Sequence, residues 1–198
     1  MDGISYLALG RVFTANMTGN TVLFGLALVQ ADGGAIVRTG LALWAFVAGA
    51  AIGARLLHRS EAPAHWPRGV TIALGVECVL LAALAADRSS MLVGRVTLAA
   101  LAMGVQSAAA RRLDVFGIAT TFVTGTLTSL VSLIARHGVG PAAAGHGKRM
   151  LATAWGVYVF GAMAAGGLMQ AAPTVTLLVP AVIVLAVVAI AAARYWRV

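Results

Sequence analysis

The chain has 198 residues, of which 61% are hydrophobic and 10% are charged, whereas an average soluble domain is roughly half apolar and about a quarter charged. Its mean hydropathy of +0.94 reflects apolar sequence along the whole length, which excludes a soluble enzyme and predicts a polytopic membrane protein. The net charge of +8 comes from basic residues at the ends of apolar runs. Such residues anchor a protein to lipid headgroups, and no basic stripe for nucleic acid is present.

Five long apolar runs predict membrane-spanning helices and therefore an all-α transmembrane bundle. In chain order they cover residues 41–57, 70–86, 91–110, 151–170 and 175–193. Their lengths approach the roughly 20 residues that a helix needs to cross the hydrocarbon core. Pro180 lies inside the last run and predicts a kink there, which helices in a lipid-embedded bundle tolerate.

Two further apolar segments are too short to cross a bilayer alone. The first is FTANMTGNTVLFGLALVQ (13–30) and the second is TTFVTGTLTSLVSLIA (120–135). Counted from Thr18 and Thr124, each helical part covers roughly 20 Å of a hydrocarbon core about 30 Å thick. Each begins with Thr-Gly, in which Thr can cap a helix and Gly lets the backbone turn sharply. We therefore predict two re-entrant half-helices.

The two short segments also look like copies of each other. MTGNTVLFGLAL resembles VTGTLTSLVSLI, and downstream AFVAGAAIGA (45–54) resembles VYVFGAMAAG (157–166). The sequence predicts a single integral membrane domain, 1–198, built from repeat one (1–88) and repeat two (89–198), with the opening helix of repeat one truncated. Three crossings in each half is an odd number, so we expect the repeats to be inverted relative to each other.

The basic residues test the direction of insertion, because cytoplasmic loops collect Lys and Arg. Re-entry of both short segments places ten basic residues on one face and four on the other, whereas full crossing divides them eight to six. Re-entry gives the clearer bias. It predicts a multi-pass inner-membrane protein whose loops 55–68, 111–114 and 136–149 and whose C-terminus are cytoplasmic.

The stretch GRVFTANMTGNTVLFGLAL, with the preceding Asp2-Gly3-Ile4-Ser5 and the later ALAMGVQSAAARRL and TTFVTGTLTSL, resembles the YoaK-like family of small multi-pass bacterial membrane proteins. That family is described as domain of unknown function 1275. The resemblance covers nearly the whole chain. It implies a bacterial inner-membrane protein of no established activity, and it supplies no substrate.

The start of a half-helix within the membrane would be a binding site for a polar or anionic solute. Its first backbone N–H groups lack intrahelical partners, and the helix dipole places partial positive charge there. The alternative is that the Thr and Asn side chains only cap two buried helix ends. The candidate substrate-binding residues are Asn16, Thr18, Gly19, Asn20, Thr21, Gln106, Thr120, Thr121, Thr124, Gly125, Thr126 and Thr128.

Three charged residues are candidates for coupling or for an ion pair. Glu77 is the only acidic residue well inside a long apolar run, where an ionisable group is costly unless it is paired, protonated or hydrated. Arg95 on the next helix is its candidate partner, and a structural pair competes with a proton-coupling or substrate role. Asp2, which occupies the repeat position of Gln106, either completes the central polar site or is a charge at a terminus.

The sequence contains no paired carboxylates, HExxH, Gly-x-Ser-x-Gly or phosphate-binding loop, so we expect no enzyme activity, cofactor or metal site. Gly49 and Gly53 predict close helix packing, and packing between the two halves competes with a dimer seam. The primary hypothesis is a small transporter or channel-like permease for a small polar or anionic solute. The alternative is a non-transporting scaffold or lipid-interacting protein. Membrane lipids, such a solute and a second copy of the chain are the expected partners, and nucleic acid is not.

Overall fold

The computed structural model describes residues 1–58, 66–87, 89, 91–113, 123–135 and 141–195. Within these residues all regular secondary structure is helical, which confirms the predicted all-α class. The helices are α1 (Asp2–Ala8), α2 (Met17–Val29), α3 (Gly33–His58), α4 (Arg68–Ala86), α5 (Leu92–Leu113), α6 (Val123–Ala135), α7 (Pro141–Ala171), α8 (Pro173–Thr176) and α9 (Val179–Tyr195).

All five predicted spanning segments are helical. In the described part of the chain, five segments are long and apolar enough to cross a membrane: Gly33–His58, Arg68–Ala86, Leu92–Leu113, Arg149–Ala171 and Pro173–Tyr195. The last of these is interrupted by a turn at Leu177 and Leu178, which separates α8 from α9. Pro180 is the second residue of α9. A proline in the first helical turn removes no intrahelical hydrogen bond. A new helix therefore begins at Val179, where the sequence predicted a kink within one helix.

Helices α3 and α5 are parallel and touch through their backbones. A methyl group added to Gly49 would overlap the carbonyl oxygen of Leu101, and one added to Gly104 would overlap that of Phe46. Gly53 lies further along α3, against Val105 of α5. Small residues allow such close approach of helices. The predicted close packing at Gly49 and Gly53 is therefore present, and it joins α3 to α5 within one chain.

Contacts at the helix termini define two ends of the bundle. Gly10, whose φ is 79°, lies against Arg38 near the start of α3 and against Leu92 at the start of α5. We call this the Arg38 end. The opposite end, where α3 and α5 finish, contains Arg111 and is called the Arg111 end.

Helix α4 runs antiparallel to α3 and α5, back to the Arg38 end, and packs against both of them and against α9. The ring of Tyr195, the last residue of α9, stacks on Trp66, just before α4, with centroids 6.0 Å apart. Along the same pair of helices, Cys78 Sγ lies 3.7 Å from the Ala181 carbonyl oxygen. Helix α9 therefore runs antiparallel to α4 and towards the Arg111 end.

The main apolar core fills the space between α3, α4, α5 and α9. Helix α9 contributes Ala181 and Val184, and the fully buried members on α3, α4 and α5 include Ala42, Val70, Ala73, Leu81, Leu84, Val96, Ala99, Ala100 and Val105. Outside this core, α2 packs on α3, and both α1 and α6 pack on α7. Helix α1 approaches α7 closely, because Gly3 faces Ala162 and Ala165.

Candidate functional site

Helix α2 starts beside the middle of α3. The two helices run antiparallel from the turn between Val29 and Gly33, with Phe24 against Gly40. Thr18, in the first turn of α2, shares a cavity with Phe46, which is near the midpoint of α3. The 13 residues of α2 thus extend only about halfway along its 26-residue neighbour.

A partly open cavity of ≈ 550 Å³ lies between the start of α2 and the helices α3 and α5. Its polar lining comes from Asn16 and Thr18 at the start of α2, from Ser107, and from Arg111 and Arg112 at the Arg111 end. The rest of the lining consists of Ala15, Met17, Phe46, Ala50, Ala54, Leu57 and Ala108. Among the described residues that line the cavity, none is acidic. Arg111 and Arg112 are exposed, and we call their side of the cavity its basic mouth. These two arginines and the partial positive charge of the α2 start both favour an anion over a cation.

The start of α2 is capped by its own side chains. Asn16 Oδ1 accepts a hydrogen bond from the backbone N–H of Gly19 at 3.1 Å, which satisfies one of the N–H groups that a helix start leaves open. Gly19 itself is packed against an aromatic ring, since a methyl group there would lie 2.9 Å from the Phe13 ring. Thr21 donates its hydroxyl to the Met17 carbonyl oxygen at 2.9 Å and lies outside the cavity lining. Among the predicted site residues at the start of α2, Asn16 and Thr18 line the cavity.

Asn20 is fully buried and is bonded to the backbone of Phe13 in both directions. Its Nδ2 donates to the Phe13 carbonyl oxygen at 2.6 Å, and its Oδ1 accepts from the Phe13 N–H at 2.9 Å. These two bonds position the segment before α2 against the helix. The prediction that Asn20 contacts a solute stays untested, whereas its positioning of Phe13 is visible in the structure.

Asp2 holds the same segment from the other side. Its Oδ1 accepts backbone hydrogen bonds from Thr14 at 3.0 Å and from Ala15 at 2.8 Å, and its carboxylate lies near the Tyr158 hydroxyl of α7. Ser5 of α1 accepts a further, longer bond from the Thr14 hydroxyl at 3.4 Å. These contacts give Asp2 a structural role before α2, but Asp2 is not among the residues that line the cavity, and its place in a central polar site stays a prediction. Tyr158 is not among the residues predicted from the sequence, although it aligns with Phe46 in the proposed repeats.

The second short segment is also a helix of 13 residues. Within it Thr126 is buried, and Thr128 donates its hydroxyl to the Thr124 carbonyl oxygen at 2.9 Å. Thr124 and Gly125 are exposed, and Thr120 and Thr121 lie outside the described residues. Gln106 is half-buried on α5, next to the cavity residue Ser107.

The two half-length helices pack on different partners. Helix α2 contacts α3 and helix α6 contacts α7, and in the described part of the chain α2 and α6 form no extensive contact with each other. The contacts between the described helices therefore do not show the two Thr-Gly ends meeting, and that meeting stays a prediction.

Glu77 is fully buried, and both of its carboxylate oxygens lack a hydrogen-bond partner. The pair with Arg95 is not formed, and Arg95 Nε is itself buried without a partner. The reason is geometric, since Glu77 lies about 9 Å deeper along the α4–α5 hairpin than Arg95 does. Arg95 instead lies near Asp87. The hydrogen bonds from Ser89, with a smaller contribution from Arg95, hold the pKa of Asp87 below its ordinary value.

Five apolar spanning helices, with a half-length helix that starts beside the middle of one of them, define a multi-pass membrane protein. The chain belongs to the family described as Protein of unknown function (DUF1275), whose family profile matches residues 1–190. This confirms the resemblance to the YoaK-like family. The chain is 40% identical over 135 residues to the UPF0700 transmembrane protein YoaK of Bacillus subtilis (strain 168). That match covers 66% of this chain and 60% of the relative, which is less than two thirds of the relative's length. No solved structure matches the chain.

Proposed function

We propose that the protein is a small inner-membrane transporter or channel-like permease that moves a small polar solute, with anions favoured. One observation carries this proposal: the start of α2 lies halfway along α3 and opens into a cavity that leads to Arg111 and Arg112. Discontinuous helices that end near the bilayer midplane commonly form the solute sites of transporters, where their N-termini bind anionic groups.

Contacts at the Arg38 end support re-entry of the first short segment. Gly10 lies at this end, against Arg38 and Leu92. The chain then runs inward to Met17, and α2 returns to the turn before Gly33, at the end where α3 begins. Both ends of the segment 10–33 are therefore on the same side of the bundle, as expected of a half-helix that enters and leaves by one face.

The pattern of helix pairs supports inverted repeats. If α1, α2 and α3 correspond to α5, α6 and α7, the α3–α5 contact corresponds to the α7–α1 contact, and the α2–α3 contact to the α6–α7 contact. All four of these helix–helix contacts are present. Helix α9 runs towards the Arg111 end, so α7, which precedes it, runs away from that end and opposite to α3. On this arrangement α6 enters from the Arg111 end, which we propose is cytoplasmic.

The residues present account for each step of passage. The Arg111 and Arg112 guanidinium groups would attract an anion to the mouth. The hydroxyl and backbone N–H of Thr18 and the Asn16 side chain would replace part of its hydration shell. Asp2, Tyr158 and Asn20 would hold the segment before α2 so that these donors keep their geometry. The apolar remainder of the lining would keep binding weak enough for release.

The test is solute flux in proteoliposomes, measured for chloride, nitrate, phosphate and uncharged glycerol. We expect flux of at least one probe and its collapse in Thr18→Val, which keeps the side-chain shape but removes the hydroxyl. Thr97→Val is the matched control, because the Thr97 hydroxyl bonds the Val93 carbonyl oxygen at 2.8 Å and lies outside the cavity lining. Equal flux in wild type and Thr18→Val would remove Thr18 from the mechanism. Thermal stabilisation by lipids alone, with no flux of any probe, would favour the scaffold alternative.

A further inference from the structure

Glu77 is a carboxyl group in the apolar core that the proposed passage does not use. It is fully buried, and neither oxygen has a hydrogen-bond partner. The other five acidic residues, Asp2, Asp32, Glu61, Asp87 and Asp114, lie outside the five spanning segments. An isolated ionised carboxylate in such surroundings is far more costly than a neutral carboxylic acid.

Within the described residues, no charged group is bonded to Glu77. The charged or titratable groups on the helices packed against it are Arg38, Arg55 and His58 on α3, Arg95, Arg111 and Arg112 on α5, and Arg194 and Tyr195 on α9, with Arg68 and Cys78 on its own helix. None of these described groups is bonded to the Glu77 carboxylate. Cys78 faces Ala181, and the arginines belong to the outer parts of their helices. A proton from solution is therefore the simplest partner for this carboxylate.

Glu77 lies at the depth of the α3–α5 contact. Glu77 on α4 and Leu101 on α5 are each about 14 Å from the turn that joins these helices. The Leu101 carbonyl oxygen touches Gly49, and Phe46 and Ala50 on either side of Gly49 line the cavity. No described residue of α4 lines the cavity, so the α3–α5 contact separates Glu77 from it.

We propose that Glu77 is an exchangeable proton site and that its loading and release change the packing of α4 on α3 and α5. On release, the O–H bond of the carboxylic acid breaks, its electron pair stays on the oxygen, and the proton passes to water. The carboxylate then needs hydrogen-bond donors that the dry core lacks, so α4 must separate enough to admit water. Because α3 and α5 also line the cavity, this movement couples the proton to solute passage. The coupling rests on the proposed function, whereas the proton site does not.

Infrared spectroscopy of the purified full chain tests the proton site directly. We expect the carbonyl stretch of a protonated carboxylic acid at neutral pH, and its loss in Glu77→Gln, which keeps the side-chain shape. Asp87→Asn, directly after the end of the same helix, is the matched control and should leave the band unchanged, because the Ser89 hydrogen bonds keep the pKa of Asp87 low. Absence of the band in the wild type, or its persistence in Glu77→Gln, would overturn the proposal.

A second measurement needs no variant. A hydrophobic carbodiimide modifies protonated carboxyl groups in apolar surroundings, so it should label Glu77 of the wild-type chain, and the labelling should decline as the pH is raised. Labelling that spares Glu77 at every pH would overturn the proton site even if Glu77→Gln fails to fold.

Proteoliposomes with a transmembrane pH gradient test the coupling. Chloride or nitrate flux through the wild type should change with the gradient, and this gradient-dependent component should be lost in Glu77→Gln but kept in Asp87→Asn. Flux that does not depend on the pH gradient would overturn the coupling and leave the permease proposal intact. Absence of flux for every probe would instead overturn the permease proposal, while the infrared band would still decide the proton site.

Discussion

The carboxylate of Asp2 accepts the backbone N–H of Ala15 at 2.8 Å, immediately before the residue that caps α2. Asp2 belongs to α1, which packs on α7, and the same carboxylate lies near the Tyr158 hydroxyl of that helix. A helix of the second half thus helps to fix where the half-length helix of the first half begins.

Removing the Asp2 carboxylate should loosen the start of α2. In Asp2→Ala the N–H groups of Thr14 and Ala15 lose their acceptor, and each unsatisfied group costs about 1–3 kcal/mol when it is removed from water. We expect a lower unfolding temperature in detergent and reduced flux of the transported probe. Asp32→Asn is the control, since Asp32 only accepts the Ala35 N–H at 3.0 Å and Asn caps a helix about as well. Equal unfolding temperatures for wild type and Asp2→Ala would contradict this role.

Asn20 should be needed as both donor and acceptor. Asn20→Ala leaves the Phe13 N–H and carbonyl unpaired in a buried site, so we expect destabilisation of about 2 kcal/mol or more. Asn20→Asp should also be destabilising, because it loses the donor and buries a charge. Chemical denaturation measures both. The control Asn16→Ala removes an exposed cap and should lower the free energy of unfolding by only about 1 kcal/mol. An equal or larger loss in Asn16→Ala than in Asn20→Ala would contradict the stabilising role of the Asn20–Phe13 hydrogen bonds.

Two alanine substitutions on α5 should have opposite effects. Gly104→Ala would drive a methyl group into the Phe46 carbonyl oxygen, and because backbone cannot rotate away, overpacking should cost at least about 1–3 kcal/mol. Gly94→Ala on the same helix meets open space and should be neutral or stabilising by up to about 1 kcal/mol through helix propensity. The unfolding temperatures of the two variants measure this difference, and similar temperatures would argue against the tight α3–α5 contact.

Cysteine accessibility tests re-entry of the first short segment. In a Cys78→Ala background, Arg11→Cys and Gln30→Cys each place a thiol at an exposed position flanking α2. Re-entry predicts that a membrane-impermeant maleimide labels both from the same side, and that His58→Cys at the far end of α3 is labelled from the other. Labelling of positions 11 and 30 from opposite sides would show that the segment crosses the bilayer.

The basic mouth of the cavity should select by charge. Arg111→Gln removes one guanidinium group from the lining, and we expect anion flux to fall by about tenfold at low ionic strength, because charge-lined clefts concentrate oppositely charged solutes. The difference should shrink at high salt. Arg194→Gln, on α9 away from the cavity, is the matched control. An equal loss of glycerol and chloride flux in Arg111→Gln would indicate a structural effect and contradict charge selection.

Much of the fold follows from features that act locally in the chain. The five spans and the two short helices were predicted because hydropathy and length depend only on consecutive residues. The packing role of Gly49 and Gly53 also followed, since paired small residues four apart share one helix face. The break before Pro180 was predicted only as a kink, because the sequence does not show how the preceding turn closes.

What the amino-acid sequence determined by itself was the membrane-embedded class, the helix lengths, the family resemblance and the candidate polar residues. Tertiary structure alone decided which of these residues share a site. Asp2 and Tyr158 are far apart in the chain, so only the packing of α1 on α7 brings them together. Glu77 and Arg95 are close in sequence yet unpaired, since their different depths along one hairpin keep them apart. Composition and periodicity describe one helix at a time, whereas a cavity depends on the distances between helices.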